Sequence, residues 1–399
     1  MMKDSDHLPT LPFEQPDVLD IALIFRTLQA ERPVTRIRTP AGDTAWLVTS
    51  YKDAKTLFAD ARLGRSHPHP ERAARISNAA FLGSPMGDYE TEYADHARMR
   101  RLLTSAFSGR RMHALRAHVQ DLIDGLLDRL TGLTPPVDLH EELSCVLPLL
   151  VICELLGLPY EDRRQLQAWS DGIANLQNRA QSATALDELF TYMNQLIQRK
   201  RQAPSHDIIS DLLTTTHENS QLTDNDIAGM ATSLLLAGHE TTITRIDHGI
   251  LLLLIHRKQR KALQDDPSLA PHAVEEILRY ATTGSVGLPR YAHADIIIGN
   301  ITIRQGDAVL FALSAANRDP AAFTDPDRFD LTRQPNPHLT FGHSSHFCLG
   351  ASLARLELQT IFTKLFQRLP TLELAVPAKK LRLRKQRLTG GLAELPVTW

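Results

Sequence analysis

The sequence has little cysteine: three residues in a chain of 399, too few for a disulfide framework. It also lacks an excess of charge of either sign. A formal net charge of -2 excludes a general attraction to nucleic acid or to an anionic membrane surface. Long apolar runs are missing as well. The most apolar stretches, Val146 to Leu156 and Ile250 to Ile255, fall short of the roughly 20 residues that a membrane span needs, and both read as core helices. The start of the chain, Met1 to Phe25, carries Lys3, Asp4, Asp6, Glu14 and Asp17 without an apolar core. Neither a secretory signal nor an anchor is expected there, and a cytoplasmic location follows. No internal repeat, low-complexity tract or Gly/Ser linker marks a boundary, so residues 1–399 read as a single domain. No Gly-x-Gly-x-x-Gly fingerprint signals a flavin or nicotinamide domain.

What is present is chiefly helical pattern. Leu115, Val119, Leu122, Ile123, Leu126, Leu127 and Leu130 recur at helical spacing between Met112 and Leu133. Strand-like segments are few: Thr35 to Ser50, Ala294 to Ile303, Ala308 to Ala312, and short β-branched runs in the last thirty residues. The expected class is mainly α with small β sheets (α+β). One helix stands out. Thr223 with Asp226 forms a capping-box pattern, and the apolar periodicity then runs from Ile227 to about Ile255 without proline. In its middle lies Ala237-Gly-His-Glu-Thr-Thr242, which sets a glycine, a carboxylate and two hydroxyls into an otherwise apolar element.

Cys145 and Cys153 lie in or beside an apolar stretch, where a buried inert thiol is the usual role. Cys348 stands elsewhere, in Phe341-Gly-His-Ser-Ser-His-Phe-Cys-Leu-Gly350, a loop that delivers it to the start of a helix patterned by Leu349, Leu353 and Leu356. Unpaired backbone N–H groups and the helix dipole favour a thiolate at such a place, suited to a metal ligand or a nucleophile. An inert thiol, or a zinc site from His338, His343, His346 and Cys348, is the alternative. The zinc reading lacks the paired Cys-x-x-Cys or His-x-x-x-His knuckles.

This loop resembles the haem-binding loop of the cytochromes P450, Phe-Gly-x-Gly-x-His/Arg-x-Cys-x-Gly, and Phe341, Gly342, His346, Cys348 and Gly350 match it. Ser344 departs from it, and costs on the order of 1 kcal/mol if the turn is left-handed. Three further segments match in the family's order, from about Asp95 to the C-terminus. Glu276 and Arg279 sit at i and i+3, and Asp325-Pro-Asp-Arg-Phe329 follows. The resemblance implies a buried ionic network of Glu276, Arg279 and Arg328. His96 and Arg100, one helical turn apart, together with Arg290 and His346, are implied partners of the haem propionates. The segment around Glu240 and Thr241 resembles the family's oxygen-activation helix, with Ala237 and Gly238 against the haem and the acid and alcohol relaying protons.

The resemblance implies haem b (iron protoporphyrin IX) held by Cys348, with the long helix above it and the cysteine loop beneath. It also implies insertion of one atom of O2 into a C–H bond, by hydroxylation or epoxidation, by a monomer supplied with electrons by ferredoxin and ferredoxin reductase. Arg100, Arg101, Arg110 and Arg111 form the expected docking patch for that partner. Expected pocket residues are Phe81, Leu82, Leu236, Val286, Gly287, Leu288 and Leu392. Their apolar character, and the space read from Gly287, favour a bulky apolar substrate such as a macrolide, terpenoid, steroid or fatty acyl compound. The alternatives are a peroxide-driven peroxygenase, a haem-thiolate sensor, and a non-catalytic recruiting module; Glu240 and Thr241 argue against the last two.

Overall fold

A computed structural model of the chain describes residues 8–214, 222–282 and 287–399. The helical expectation holds, and the long helix Asp224–Ile255 organises the rest. Its capping box closes as the sequence predicts: the Asp226 amide donates to Thr223 Oγ1 at 3.1 Å and the Thr223 amide donates to Asp226 Oδ2 at 2.9 Å. At 1.5 Å per residue the helix spans about 48 Å, enough to cross the whole protein. From Thr242 to Leu254 every residue is buried, so this half is wrapped by neighbours on all sides. The elements packed against the helix along its length include Leu147–Leu156, Arg179–Gln202, Ala270–Tyr280 and Ala351–Arg368. Gly249 is a point of close approach, because a Cβ there would stand 2.2 Å from Phe362 Cζ.

The sheets are small. The largest has the strand order Val34–Arg38, Thr44–Val48, Ala308–Phe311, Leu288–Ala292 and Leu63–Gly64. Leu288–Ala292 was not expected as a strand, since it contains Pro289. The proline is tolerated because Leu63–Gly64 pairs only with Tyr291 and Ala292, which leaves the flank at Pro289 without a neighbour that needs its N–H. The C-terminal segment folds back as a hairpin bridged at Leu383 and Leu392. Its tip joins the turn that follows the helix Arg163–Ile173: the Leu176 amide donates to the Gln386 carbonyl at 3.0 Å and the Leu388 amide to the Ala174 carbonyl at 3.1 Å. No helix among the described residues is long and apolar enough to cross a membrane.

Candidate active site

The long helix turns amphipathic in its middle. Ala237 and Thr241, one turn apart, are exposed although Leu235, Leu236, His239, Glu240 and Thr242 around them are buried. This one-turn face is left uncovered in the middle of the helix. Thr241 Oγ1 donates to the Ala237 carbonyl at 2.6 Å. Gly238 faces the neighbouring helix Leu147–Leu156, where a Cβ would meet Ile152 Cδ1 at 3.4 Å. Glu240 points the other way into buried surroundings, with Oε1 lacking a hydrogen-bond partner, and burial pushes its carboxyl up to about 7.

The cysteine loop is pinned at both ends. The Cys348 amide donates to the Phe341 carbonyl at 2.8 Å, and Arg100 Nη1 donates to the Phe347 carbonyl at 2.8 Å. Gly342 adopts φ +72° and Ser344 φ +59°, so the serine does occupy the left-handed turn that glycine fills more cheaply. Cys348 keeps an exposed surface at the head of the helix Ala351–Arg368. Its surroundings raise the thiol, while the Gly350 amide and the charges of Arg100 and Arg355 pull it back towards thiolate.

Basic side chains gather beside this loop. His96 and His346 pack with ring centroids 4.1 Å apart, and Arg100, Arg290 and Arg65 share their electrostatic neighbourhood with one carboxylate, Glu92. Burial first, then the positive charges of Arg290, His96, Arg65 and Arg100, drives His346 down to about 3. Arg290 is buried, and its Nη1 reaches only the adjoining Pro289 carbonyl, at 2.7 Å. Arg65 Nε is buried without a partner. Such a surplus of buried donors is what a cofactor bearing two carboxylates would satisfy. Arg65 was missed from sequence, where Leu63-Gly-Arg-Ser66 carries no pattern; only the fold brings it to Arg290.

The ionic network exists with a different third member. Glu276 and Arg279 are fully buried and doubly bonded, Nε to Oε2 and Nη2 to Oε1, both at 2.7 Å. The expected Arg328 is not in it. That side chain is exposed and faces Asp330 at 3.3 Å, and only its carbonyl accepts from Arg279. Arg333 takes its place, with Nε 3.2 Å from Glu276 Oε1, and Asn336 Nδ2 donates to Oε2 at 3.1 Å. Asp325, at φ +46°, starts the turn that carries residue 328, closed by the Arg328 amide donating to the Asp325 carbonyl at 3.0 Å.

Other expectations change too. Leu392 is wholly buried in the main core and presents no surface to a pocket, and Leu236 is nearly so. Gly287 does not provide room: at φ +78°, its Cβ would stand 2.9 Å from the Phe311 carbonyl oxygen, so a backbone constraint selects glycine. Leu288 and Phe81 are partly exposed, as is Leu82, at φ +60°. Val286 lies outside the described residues. In the expected docking patch, Arg101 and Arg110 are exposed while Arg111 forms an ion pair with Asp211. Arg245 and Asp247, unplaced from sequence, are both structural here: Arg245 Nη1 donates to the Leu278 and Ala281 carbonyls, and Asp247 Oδ2 lies 2.7 Å from His140 Nδ1.

A mainly helical fold, a long helix with an exposed turn at its centre and a cysteine loop with Arg65, Arg100 and the buried Arg290 beside it fit the class of haem-thiolate proteins. The cytochrome P450 family model matches residues 43–382. Pentalenolactone synthase of Streptomyces exfoliatus is 46% identical, over 99% of this chain and 100% of that protein. Mycinamicin IV hydroxylase/epoxidase of Micromonospora griseorubida is 37% identical, over 97% and 98%. Among solved structures, substrate-free PimD, a polyene macrolide pimaricin epoxidase, superposes with a TM-score of 0.89 at 45% identity, covering 99% of this chain and 100% of that one. The chain belongs to the cytochrome P450 family, and it is homologous to monooxygenases over nearly its whole length. That membership implies a haem-thiolate cofactor, and the donor set at Cys348, Arg65, Arg290, His96 and His346 fits one.

Proposed function

We propose that the chain, working as one 399-residue domain, hydroxylates or epoxidises a bulky apolar natural product, with electrons from ferredoxin and ferredoxin reductase. The observation that carries this reading is the exposed Ala237 and Thr241 turn with the buried acid Glu240 directly behind it. Cys348 would hold the iron of haem b, with Arg65, Arg100, Arg290, His96 and His346 on the propionates. Bound there, haem supplies the activation of dioxygen that no amino-acid side chain can perform. The protein's share is positioning, exclusion of water and proton supply. Thr241, whose hydroxyl is anchored on the Ala237 carbonyl, presents an oxygen on the exposed turn. Glu240, held near neutral pH, can lose and regain a proton at Oε1, a donor matched to working pH. Relatives that synthesise pentalenolactone and that hydroxylate or epoxidise mycinamicin IV support a terpenoid or macrolide as the substrate class.

The test is reconstitution with ferredoxin, its reductase and NAD(P)H on a panel of sesquiterpenoid lactones, macrolides, steroids and fatty acids, after screening by the spectral shift on binding. A product heavier by one oxygen from the first two groups supports the reading. Turnover on peroxide alone, with none from the ferredoxin chain, overturns it in favour of a peroxygenase.

A further inference from the structure

Behind the long helix, on the face carrying Glu240, Thr244 and Asp247, lies a buried polar group that the reading above does not use. The C-terminal hairpin packs against that face: Thr389 Oγ1 and Thr244 Oγ1 are 3.2 Å apart, and the Arg384 amide donates to the Gly391 carbonyl at 2.9 Å. Gly391, at φ +85°, makes the approach possible, since a Cβ there would stand 2.9 Å from Thr244 Oγ1 and 3.5 Å from Arg384 Nη2. The guanidinium of Arg384 is thereby carried to the helix. Its Nε and Nη2 are buried without hydrogen-bond partners, and so are Glu240 Oε1 and Asp247 Oδ1. Nε with Nη2 is the same edge that Arg279 uses to grip Glu276. Asp247 meanwhile binds His140, whose Nε2 lies 3.3 Å from Cys145 Sγ.

We propose that Arg384, brought in by the C-terminal hairpin, is the positioning residue for Glu240: its guanidinium edge, unpaired in this structure, closes on the Glu240 carboxylate once that group gives up its proton, with the buried Asp247 as the competing acceptor. The inference rests on the reading of Glu240 as the proton donor. The charges that face Glu240 agree with it: Arg384 is the strongest, followed by Arg387 of the same hairpin, then Asp171 from the helix Arg163–Ile173. Arg387 is largely neutralised by its own ion pair with Asp171 at 3.1 Å, which leaves Arg384 as the free counter-charge. The same Arg384 charge reaches His140, Cys145 and His239, which places it at the hub of the group. Burial favours the protonated carboxyl; a cation beside it favours release of the proton.

The experiment is an infrared titration of the carboxylic C=O band of Glu240 in the haem-loaded full chain, assigned by its loss in Glu240→Gln. Arg384→Gln is expected to raise the midpoint by at least about one pH unit, a tenfold shift. Arg384→Lys should keep it near wild type, and Asp247→Asn should lower it, because one competitor for the guanidinium is gone. A purely structural role for Arg384 predicts no such opposed shifts. An unchanged midpoint in Arg384→Gln, with the carbon monoxide spectrum intact, overturns the proposal. Should that variant fail to load haem, an unchanged midpoint in Asp247→Asn does so. The share of electrons lost to peroxide is measured alongside. Midpoints that move as expected while that share stays constant support Arg384 as the partner of Glu240 and instead remove Glu240 from proton delivery.

Discussion

Arg333 Nε lies 3.2 Å from Glu276 Oε1 and adds a third charged member to a pair that has no access to solvent. Arg333 also donates to the Thr324, Asp325 and Arg328 carbonyls, so it ties the loop before the cysteine segment to the helix Ala270–Tyr280. Removing it leaves Glu276 short of one charged donor. Arg333→Ala is expected to lower stability by about 2 kcal/mol, a charged hydrogen bond lost in a buried place. Arg328→Ala should change nothing measurable in urea unfolding. Equal losses for the two variants would show that the network is built otherwise.

Ser344 stands at φ +59° in the cysteine loop. A left-handed residue with a Cβ is strained by about 1 kcal/mol, and glycine is not. Ser344→Gly is therefore expected to stabilise the protein by about that amount, read as a rise in melting temperature of the haem-loaded form. A fall would mean that the serine side chain contributes more than its backbone costs.

Glu240 carries a pH signature. Its folded value of about 7 lies above the ordinary 4.5, so the folded state holds this proton where the unfolded state has lost it. Its stabilising contribution is complete below 4.5 and is lost as pH rises through 7. The shift corresponds to about 3 kcal/mol in full. Denaturant midpoints of wild type should fall with pH across that window relative to those of Glu240→Gln. Parallel curves would place the carboxyl in a more solvated setting.

Thr241 carries the exposed hydroxyl in the middle of the long helix. Thr241→Ala should leave oxygen consumption running while product falls at least about tenfold and peroxide rises, since the proton relay contributes at that scale or above. Unaltered coupling would exclude the hydroxyl from the relay.

Cys348→Ala should abolish the strongly red-shifted carbon monoxide band of the reduced protein. Retention of that band would move the thiolate to another cysteine, which the buried Cys145 and Cys153 make chemically unfavourable. Burial pushes Cys153 up to about 12, and Cys145 further still.

The chain's local patterns were enough to read its helical class, the capping box at Thr223, the long helix and the cysteine loop. Each depends on residues within a few positions of one another, where helix periodicity and turn chemistry act directly. The i, i+3 pair of Glu276 and Arg279 was legible for the same reason. Its third partner was not: whether Arg328 or Arg333 closes the network depends on where the chain turns at Asp325, and a short motif does not state that. Arg65 and Arg384 lay beyond sequence reasoning altogether, since Arg65 meets Arg290 and Arg384 approaches Glu240 only through long-range folding, and neither sits in a patterned segment. Gly287 and Leu392 were read as pocket and proved to be a backbone necessity and a core side chain, because burial belongs to the packed whole. The sequence by itself thus determined which groups can do chemistry. Only the tertiary structure decided which buried charges stand together, and through desolvation it set where Glu240 and His346 hold their protons.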